Sequence, residues 1–243
     1  MEFYGNIAQA YRPLTYENLT PVATVSRIDP HMKDSYRYNA DLGLRGTIQH
    51  WLHFDLCGFL MQYNQRVGIL SDSLGNTTRT NVANSFAQGM EFDWEININK
   101  VLSLHLPWEL FLYHSLAFNL DFYTSGSFKG NHVQYAPSVI SREGFNFYWK
   151  GLSADLHYSN VSRSFGDGNN SVMGNGFLVC IIPAYRLLDF SSALKMGPHY
   201  QIKVGVDNLV DERYFTRRTD EYPGHGIIPA AGRFIYGGLK CSF

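Results

Sequence analysis

Two stretches of this sequence place arginine close to tyrosine among polar residues. Arg217 and Arg218 are followed by Tyr222, and near the start Arg12 is followed by Tyr16. A guanidinium group suits an anionic ligand because it donates two parallel hydrogen bonds to a carboxylate. We therefore predict that these five residues contact an anionic ligand. The alternative interpretation is that they are solvated loop charges or bind phosphate groups at a lipid surface.

Other residue types that often do chemistry show no catalytic or metal-binding pattern. The segments GDGNNS (166–171) and GNGF (174–177) lack the third glycine or the lysine of a phosphate-binding loop, and turn formation explains them. The nine histidines show no paired ligand spacing, and Cys57, Cys180 and Cys241 include no C-x-x-C pair. We expect no catalytic residue, no bound metal and no cofactor.

The composition favours a membrane barrel. Of the 243 residues, 45% are hydrophobic and 15% aromatic, while only 17% are charged, against about 25% in soluble chains. Few charges and many aromatic residues are typical of transmembrane barrels with aromatic girdles. The net charge of -1 argues against nucleic acid as a partner. The longest apolar runs, such as 177–185, are too short for a membrane-spanning helix of about 20 residues.

Alternation of apolar and polar residues with a period of two runs through the whole chain. It is clearest at 200–207, and it recurs at 38–47 and 152–159. From Leu110 to Phe122 it persists for longer than the usual strand of roughly 5 to 6 residues. That length fits a tilted strand of about 9 to 11 residues that crosses a bilayer.

The connections between these segments alternate in length. Short turns at 47–51 and 148–152 alternate with long polar loops at 12–36, 66–80, 124–141, 163–175 and 211–232. The predicted strands are 2–11, 36–48, 51–65, 80–95 and 108–123, and five more that begin near 140, 151, 176, 198 and 233. The sequence therefore predicts an all-β fold: an antiparallel transmembrane β-barrel with long outer loops and short periplasmic turns, in one domain over 1–243. Six charged residues should line its lumen: Asp41, Arg45, Asp55, Glu91, Asp93 and Asp121.

The last forty residues carry specific motifs. Tyr236, Gly238, Cys241 and Phe243 have a spacing similar to the C-terminal signal that barrel-assembly machinery recognises, although an aromatic or larger aliphatic residue is common where Cys241 stands. The segment 208–214, NLVDERY, is similar to an N-L-F-D-x-x-Y pattern, with valine in place of phenylalanine. Together with the loop at 215–233, these motifs resemble the end of TonB-dependent outer-membrane receptors, particularly the ferric citrate branch. The segments 4–21 and 38–68 resemble earlier parts of the same barrels.

The resemblance implies a receptor in the Gram-negative outer membrane that imports an iron chelate such as ferric citrate or a siderophore. Its implied partners are outer-membrane lipid, lipopolysaccharide, barrel-assembly machinery and, through a plug domain, the TonB complex. Barrels of this family have about 22 strands, whereas this chain accounts for about ten. We therefore expect a C-terminal barrel segment that lacks the signal peptide, TonB box, plug and first half of the barrel, and that is inactive alone.

Two alternatives remain at this level. A freestanding ten-stranded barrel could be an omptin-like protease, which would need acidic residues and histidine together at the outer rim. Asp72, Asp121, His132 and Asp167 are the available residues, and they are scattered in sequence. The other alternative is a small passive porin.

Overall fold

A wide antiparallel sheet dominates the computed structural model, which describes residues 1–20, 27–71, 76–173, 180–219 and 226–242. The elements in chain order are β1 Glu2–Arg12, α1 Tyr16–Leu19, β2 Arg27–Ile28, β3 Ser35–Ile48, β4 Leu52–Ser71, β5 Thr77–Asn97, α2 Ile98–Val101, β6 Trp108–Tyr123, β7 Val139–Trp149, β8 Leu152–Val161, β9 Ser164–Phe165, β10 Ile181–Ile182, β11 Tyr185–Met196, β12 Tyr200–Asp207, β13 Phe215–Thr219, β14 Gly226–Pro229 and β15 Phe234–Cys241. Ten strands pair in the order β1-β3-β4-β5-β6-β7-β8-β11-β12-β15, and β2 pairs with β5 at the side.

The predicted all-β barrel wall is confirmed, with two differences in strand limits. The eighth wall strand begins at Tyr185, whereas the sequence predicted a start near 176. Within the run 177–185, Ile181 and Ile182 instead pair with β9 in a short hairpin of the outer loop, and Ile182 is buried there. The predicted loop at 66–80 is mostly strand, because β4 and β5 extend past the rest of the wall as a long hairpin.

The connections sort by length as predicted, with two exceptions: the ten-residue connection 98–107, which includes α2 and lies at the end with short turns, and the five-residue connection 72–76 at the other end. At one end of the wall the strands are joined by 49–51, 98–107, 150–151 and 197–199. At the other end stand the longer connections 13–34, 124–138, 162–184 and 208–233, together with 72–76. We call the first the short-turn end and the second the outer end.

The two faces of the wall differ in chemistry. Residues that oppose each other in the strand ladders point to the same side, and the ladders place all six predicted lumen charges on one side, the polar face. The opposite, apolar face exposes side chains such as Ile7 (85%) and Leu42 (69%). Such a one-layer wall buries little. The main buried cluster of the described residues lies at the outer end, where Val82, Ala83 and Tyr123 pack against Val133 of the 124–138 loop.

Aromatic side chains lie over glycines on the neighbouring strand at several places on the polar face. Tyr4 faces Gly43, Tyr113 faces Gly144 and Tyr236 faces Gly205. A methyl group added to any of these three glycines would lie between 2.2 and 2.5 Å from an atom of the facing ring or of the neighbouring backbone. Each of these positions therefore requires glycine, because any side chain there would overlap the ring or the neighbouring backbone.

The two end strands of the sheet, β1 and β15, are not paired with each other. The wall of the described residues is thus an open arc rather than a closed cylinder. None of its helices has the length and apolar character needed to cross a membrane.

Candidate ligand-binding face

The outer end of the polar face holds two arginines in one small cavity. Arg12, at the end of β1, and Arg66, in β4, line a space of about 100 Å³ together with Tyr63 and Ser35. Among the described residues, neither guanidinium group forms an ion pair. The arrangement therefore presents unneutralised positive charge to anything that enters from the outer end.

Arg66 reaches this position because of a bulge in β4. The pairing with β5 shifts between Tyr63 and Arg66, and Gln65 adopts a left-handed backbone conformation with φ of 57°. The Asn84 side chain accepts a hydrogen bond from Gln65 N at 2.9 Å. The bulge redirects the strand, as bulges near functional sites often do, so that Arg66 Nε donates to Ser85 Oγ at 2.7 Å. The Arg66 guanidinium also lies 4.4 Å from the centre of the Tyr63 ring.

A carboxylate next to the cavity is already occupied by other donors. Asp34 accepts hydrogen bonds from the Tyr11 hydroxyl and from Leu14 N. These two hydrogen bonds lower the pKa of Asp34 below its ordinary value. Because its oxygens are committed to Tyr11 and Leu14, Asp34 fastens the loop that follows β1 and leaves the charge of Arg12 unpaired.

The other predicted ligand contacts do not join this cavity. Tyr16 lies in α1 and its side chain is exposed. Arg217 and Arg218 lie in β13, in the connection between β12 and β15, at the opposite edge of the sheet from β1. Among the described residues, no hydrogen bond, ion pair or ring contact links the two groups. Tyr222 lies outside the described residues.

Arg218 is the more enclosed of the two loop arginines. Its guanidinium lies 5.6 Å from the centre of the Phe215 ring, and its Cδ atom packs against Gly166 of the 162–184 connection. Its Nε atom is shielded from solvent and donates no hydrogen bond within the described part of the chain. Arg217 beside it is exposed. The predicted pair therefore divides into one packed and one accessible cation.

The NLVDERY motif closes the base of the last outer loop. Asn208 is buried, its side chain accepts from Glu212 N at 2.8 Å, and it donates to Glu212 O at 2.9 Å. Asp211 Oδ1 accepts from Arg233 N at 2.9 Å, which joins the two ends of the loop. This bond and the charge of Arg213 lower the pKa of Asp211. The motif is therefore a structural clamp for the loop that carries Arg217 and Arg218.

The C-terminal signal residues lie in or next to the edge strand β15. Tyr236 and Gly238 share the polar face, whereas Cys241 pairs with Tyr200 on the apolar face. Phe243 lies outside the described residues.

A polar cluster occupies the same face near the short-turn end. Arg45 Nε and Glu2 Oε2 are 2.9 Å apart, the Arg45 guanidinium lies over the Tyr4 ring, and the Tyr4 hydroxyl donates to Asp55 at 2.6 Å. Of these residues, Glu2, Arg45 and Asp55 line a cavity of about 690 Å³, together with Asp93. Its charges are partly paired within the wall.

The residues that a rim protease would need are only partly assembled. His132 Nδ1 and Asp121 Oδ1 are 3.7 Å apart, and the His132 ring stacks on Phe165. Asp167 instead accepts a hydrogen bond from Ser171 N at 3.0 Å, which is the turn predicted for that glycine-rich segment. Asp72 and the second glycine-rich segment at 174–177 lie outside the described residues. Within the described ranges, no three His, Cys, Asp or Glu side chains are placed to hold a metal ion.

Residues 1–209 match the family model described as TonB dependent receptor-like, beta-barrel. The ferric yersiniabactin uptake receptor FyuA from Yersinia pestis superimposes with a TM-score of 0.73 at 20% identity, over 99% of this chain and 35% of that one. The copper transporter OprC gives 0.76 at 17% identity, over 99% of this chain and 37% of that one. The unliganded ferric citrate transporter FecA gives 0.76 at 18% identity, over 98% and 35%.

These identities show a shared fold. The chain spans about a third of the length of the solved structures that it matches. Among curated protein sequences, none matches significantly.

Proposed function

The chain belongs to the TonB-dependent receptor-like β-barrel family, and on that premise we propose that it forms part of an outer-membrane receptor for an anionic iron chelate. Ferric citrate or a carboxylate-bearing siderophore is the ligand class that we favour. The observation that carries the proposal is the cavity at the outer end of the polar face, where Arg12 and Arg66 stand without carboxylate partners. Solved structures with this fold include uptake proteins for ferric yersiniabactin and ferric citrate.

We further propose that residues 1–243 are the C-terminal part of a larger barrel. The open arc, in which β1 and β15 are not paired with each other within the described residues, supports this, as does the length of the matching structures. The chelate would pass through the lumen along the polar face, and the TonB complex would act through a plug outside these residues. Lipid and lipopolysaccharide would surround the apolar face, and barrel-assembly machinery would insert the protein.

The test is ferric citrate binding by the intact gene product in detergent, measured by titration calorimetry. The variant Arg12→Ala/Arg66→Ala should bind at least about 100-fold more weakly, since each hydrogen bond to a charged group contributes about 1.5 to 3 kcal/mol. Lys129→Ala removes an exposed cation from the 124–138 loop and serves as the control that should bind normally.

Equal binding by the double variant and the wild type would contradict the assignment of the cavity. Binding of purified lipopolysaccharide in place of ferric citrate would instead assign the arginines to the membrane surface. Transport is then checked in cells that lack their own ferric citrate uptake and that produce the intact gene product. Their growth is measured under iron limitation, with ferric citrate as the sole iron source.

A further inference from the structure

One connection at the short-turn end is long and exposes a run of aliphatic side chains. The other connections at that end have two or three residues, whereas 98–107 has ten and includes α2. Four exposed aliphatic residues follow in close succession: Val101, Leu102, Leu104 and Leu106. Leu102 is 60% exposed, and the proposed uptake function uses none of the four. Clustered apolar surface of this kind commonly marks a contact with a partner or a membrane.

The connection is held in a defined shape by the buried side chain of Asn99. Its Nδ2 donates to Trp108 O at 2.7 Å, and its Oδ1 accepts from Leu110 N at 2.9 Å. Leu104 N donates to Asn99 O at 2.8 Å, which turns the chain back after α2. Because Asn99 fixes both the helical turn and the start of β6, the exposed aliphatic side chains keep one arrangement. Such a surface is preorganised for a ligand.

The exposed aliphatic residues border a cavity that also includes charged groups. The cavity has a volume of about 330 Å³, and its lining includes Lys100, Leu104, His105, Leu106, Trp108 and Glu109. Trp108 lies on the apolar face, on the same side of β6 as Leu112, so the two leucines of the connection continue that face below the last wall residue. Glu109 lies on the polar face. The cavity therefore crosses the lower rim of the wall, from the lipid side to the lumen side.

The charged groups of this cavity are available to a ligand. Lys100 Nζ donates one hydrogen bond, to His50 O at 3.1 Å, so two of its three N–H donors remain. Among the described residues, neither Lys100 nor Glu109 forms an ion pair. Both residues are exposed, and so is His105. The cavity thus offers a cation and an anion beside an apolar surface.

The height of the cavity fits the inner boundary of the membrane. Trp108 pairs with Trp149 on the apolar face at the short-turn end, where Trp149 is 44% exposed. Tryptophan is enriched where the hydrocarbon of a bilayer meets its headgroups. Because the short-turn end is the predicted periplasmic end, the nearest headgroups belong to the inner leaflet. An amphipathic cavity at this height matches an amphipathic ligand, a phospholipid.

We propose that this cavity binds a phospholipid of the inner leaflet whose zwitterionic headgroup carries a primary amine. Lys100 and His105 contact the phosphate, and Glu109 accepts a hydrogen bond from the ammonium group. One acyl chain lies along Leu106 and Trp108. The opposite charges of Lys100 and Glu109 match a zwitterion, whereas an anionic headgroup meets the negative charge of Glu109. This inference rests on the proposed function, because it assumes that the apolar face lies in the outer membrane.

The experiment uses the intact gene product in mild detergent and measures retained lipid by native mass spectrometry. The probes are phosphatidylethanolamine, phosphatidylcholine and phosphatidylglycerol with the same acyl chains. We expect phosphatidylethanolamine to bind about tenfold more tightly than either of the others. The reason is that choline has no N–H donor for Glu109 and glycerol has no cationic group. Equal binding of the three lipids would overturn the proposal.

Substitutions at the two charged groups separate this site from general lipid contact. Lys100→Met removes the charge and should weaken phosphatidylethanolamine binding about tenfold or more. Glu109→Lys should reverse the preference, so that phosphatidylglycerol binds more tightly than phosphatidylethanolamine. Lys195→Met, at an exposed position of β11 near the same end but on the polar face, is the matched control and should bind like the wild type. Lipid contact through the apolar surface alone predicts no reversal, and that result would contradict the proposal.

A photo-cross-linking residue at Leu104 of the intact gene product identifies the occupant in cells. We expect phospholipid adducts from this position and not from Val172, which is exposed in the outer connection 162–184. Cross-links from position 104 to a periplasmic protein in place of phospholipid would assign the surface to a protein partner and overturn the proposal.

Gel mobility before and after heating shows whether each variant still forms a folded barrel, and Glu109→Gln provides a milder change that should reduce the preference for phosphatidylethanolamine without reversing it. Ferric citrate binding is measured on the same samples. A wild type that binds the chelate but shows no lipid preference counts against the lipid site alone. A wild type that shows the preference but does not bind the chelate counts against the proposed ligand alone.

Discussion

The Arg66 guanidinium is held from two sides, by Ser85 Oγ and by the Tyr63 ring. The sequence predicted Arg12, but not Arg66, as a ligand contact, because strict alternation of faces cannot be followed through a bulge. One local signal was available: two consecutive polar residues, Asn64 and Gln65, occur where strict alternation would place only one. Such an interruption indicates an irregularity, but it does not say which side chain the irregularity redirects.

We predict that Arg66→Lys and Arg66→Ala differ measurably in chelate binding. Alanine removes the charge and should weaken ferric citrate binding about tenfold to 100-fold, whereas lysine keeps the charge but loses the planar double donor. The lysine variant should therefore fall between alanine and the wild type in titration calorimetry. Identical affinities for lysine and alanine would mean that charge plays no part at this position.

Asp211 leads to a prediction about pH. Its pKa is lowered by the Arg233 N–H and by Arg213, so the carboxylate favours the closed loop base at every pH above its ordinary value of about 4. As the pH falls through the lowered pKa, the Asp211 carboxylate is protonated and its interactions with the Arg233 N–H and with Arg213 weaken. The closed loop base then becomes less stable.

Hydrogen exchange of the peptide 226–242, corrected for intrinsic rates, should show protection that is constant from pH 7 to 5 and declines below about pH 4. Asp211→Asn should show weaker protection at pH 7 and no further decline on acidification. A decline of the same size in this variant would assign the acid sensitivity to another group.

At the scale of elements, the period-two pattern predicted all ten wall strands, because each has one face in an apolar and one in a polar environment. It failed at 176–184, where apolar residues pack in an outer-loop hairpin rather than in the wall. It also underestimated β4 and β5, whose outer halves contact the 124–138 loop instead of following the alternation of the wall. Alternation thus reflects whether each side chain is in an apolar or a polar environment. It predicts a strand only where the sheet itself separates an apolar side from a polar side.

Two glycines on neighbouring strands allow a matched test of wall packing. A methyl group at Gly89 would lie 2.2 Å from Phe118 O, whereas at Gly58 the nearest atoms are 4.0 Å away. Gly89→Ala should destabilise the folded barrel by about 1 to 3 kcal/mol, and Gly58→Ala should change its stability by less than about 0.5 kcal/mol. Urea unfolding of the detergent-solubilised protein, followed by tryptophan fluorescence, measures both. Similar losses for the two variants would show that strand spacing adjusts to the added methyl.

For the whole molecule, the sequence predicts an incomplete barrel, which stays a prediction. It could not predict how far apart the two arginine groups lie, since that separation depends on the curvature of the wall and on the order of all its strands. Arg12 and Arg217 look equivalent in the sequence, yet Arg12 ends β1 and Arg217 lies in the connection between β12 and β15, at the opposite edge of the sheet.

The open edges of β1 and β15 predict the behaviour of the 243 residues produced alone. Unpaired strand edges recruit further strands, so the refolded chain in detergent should form dimers and larger species. Light scattering coupled to size-exclusion chromatography measures this. A uniform monomer with a disulfide formed readily between cysteines introduced at Asn6 and Tyr236 would mean that the edges close on each other, which would favour the freestanding ten-stranded barrel.

The packing of Tyr4, Tyr113 and Tyr236 over the glycines opposite them has a consequence for how this wall can diverge during evolution. Neither the tyrosine nor the glycine of such a pair can be replaced first without loss of stability. A side chain at the glycine collides with the ring, and a small residue in place of the tyrosine leaves a gap. Related genes should therefore gain or lose each tyrosine and its glycine together, as one inherited unit that spans two strands. Such paired exchanges, counted across relatives, would therefore show which residues of neighbouring strands face each other, even in sequences too divergent to be aligned position by position.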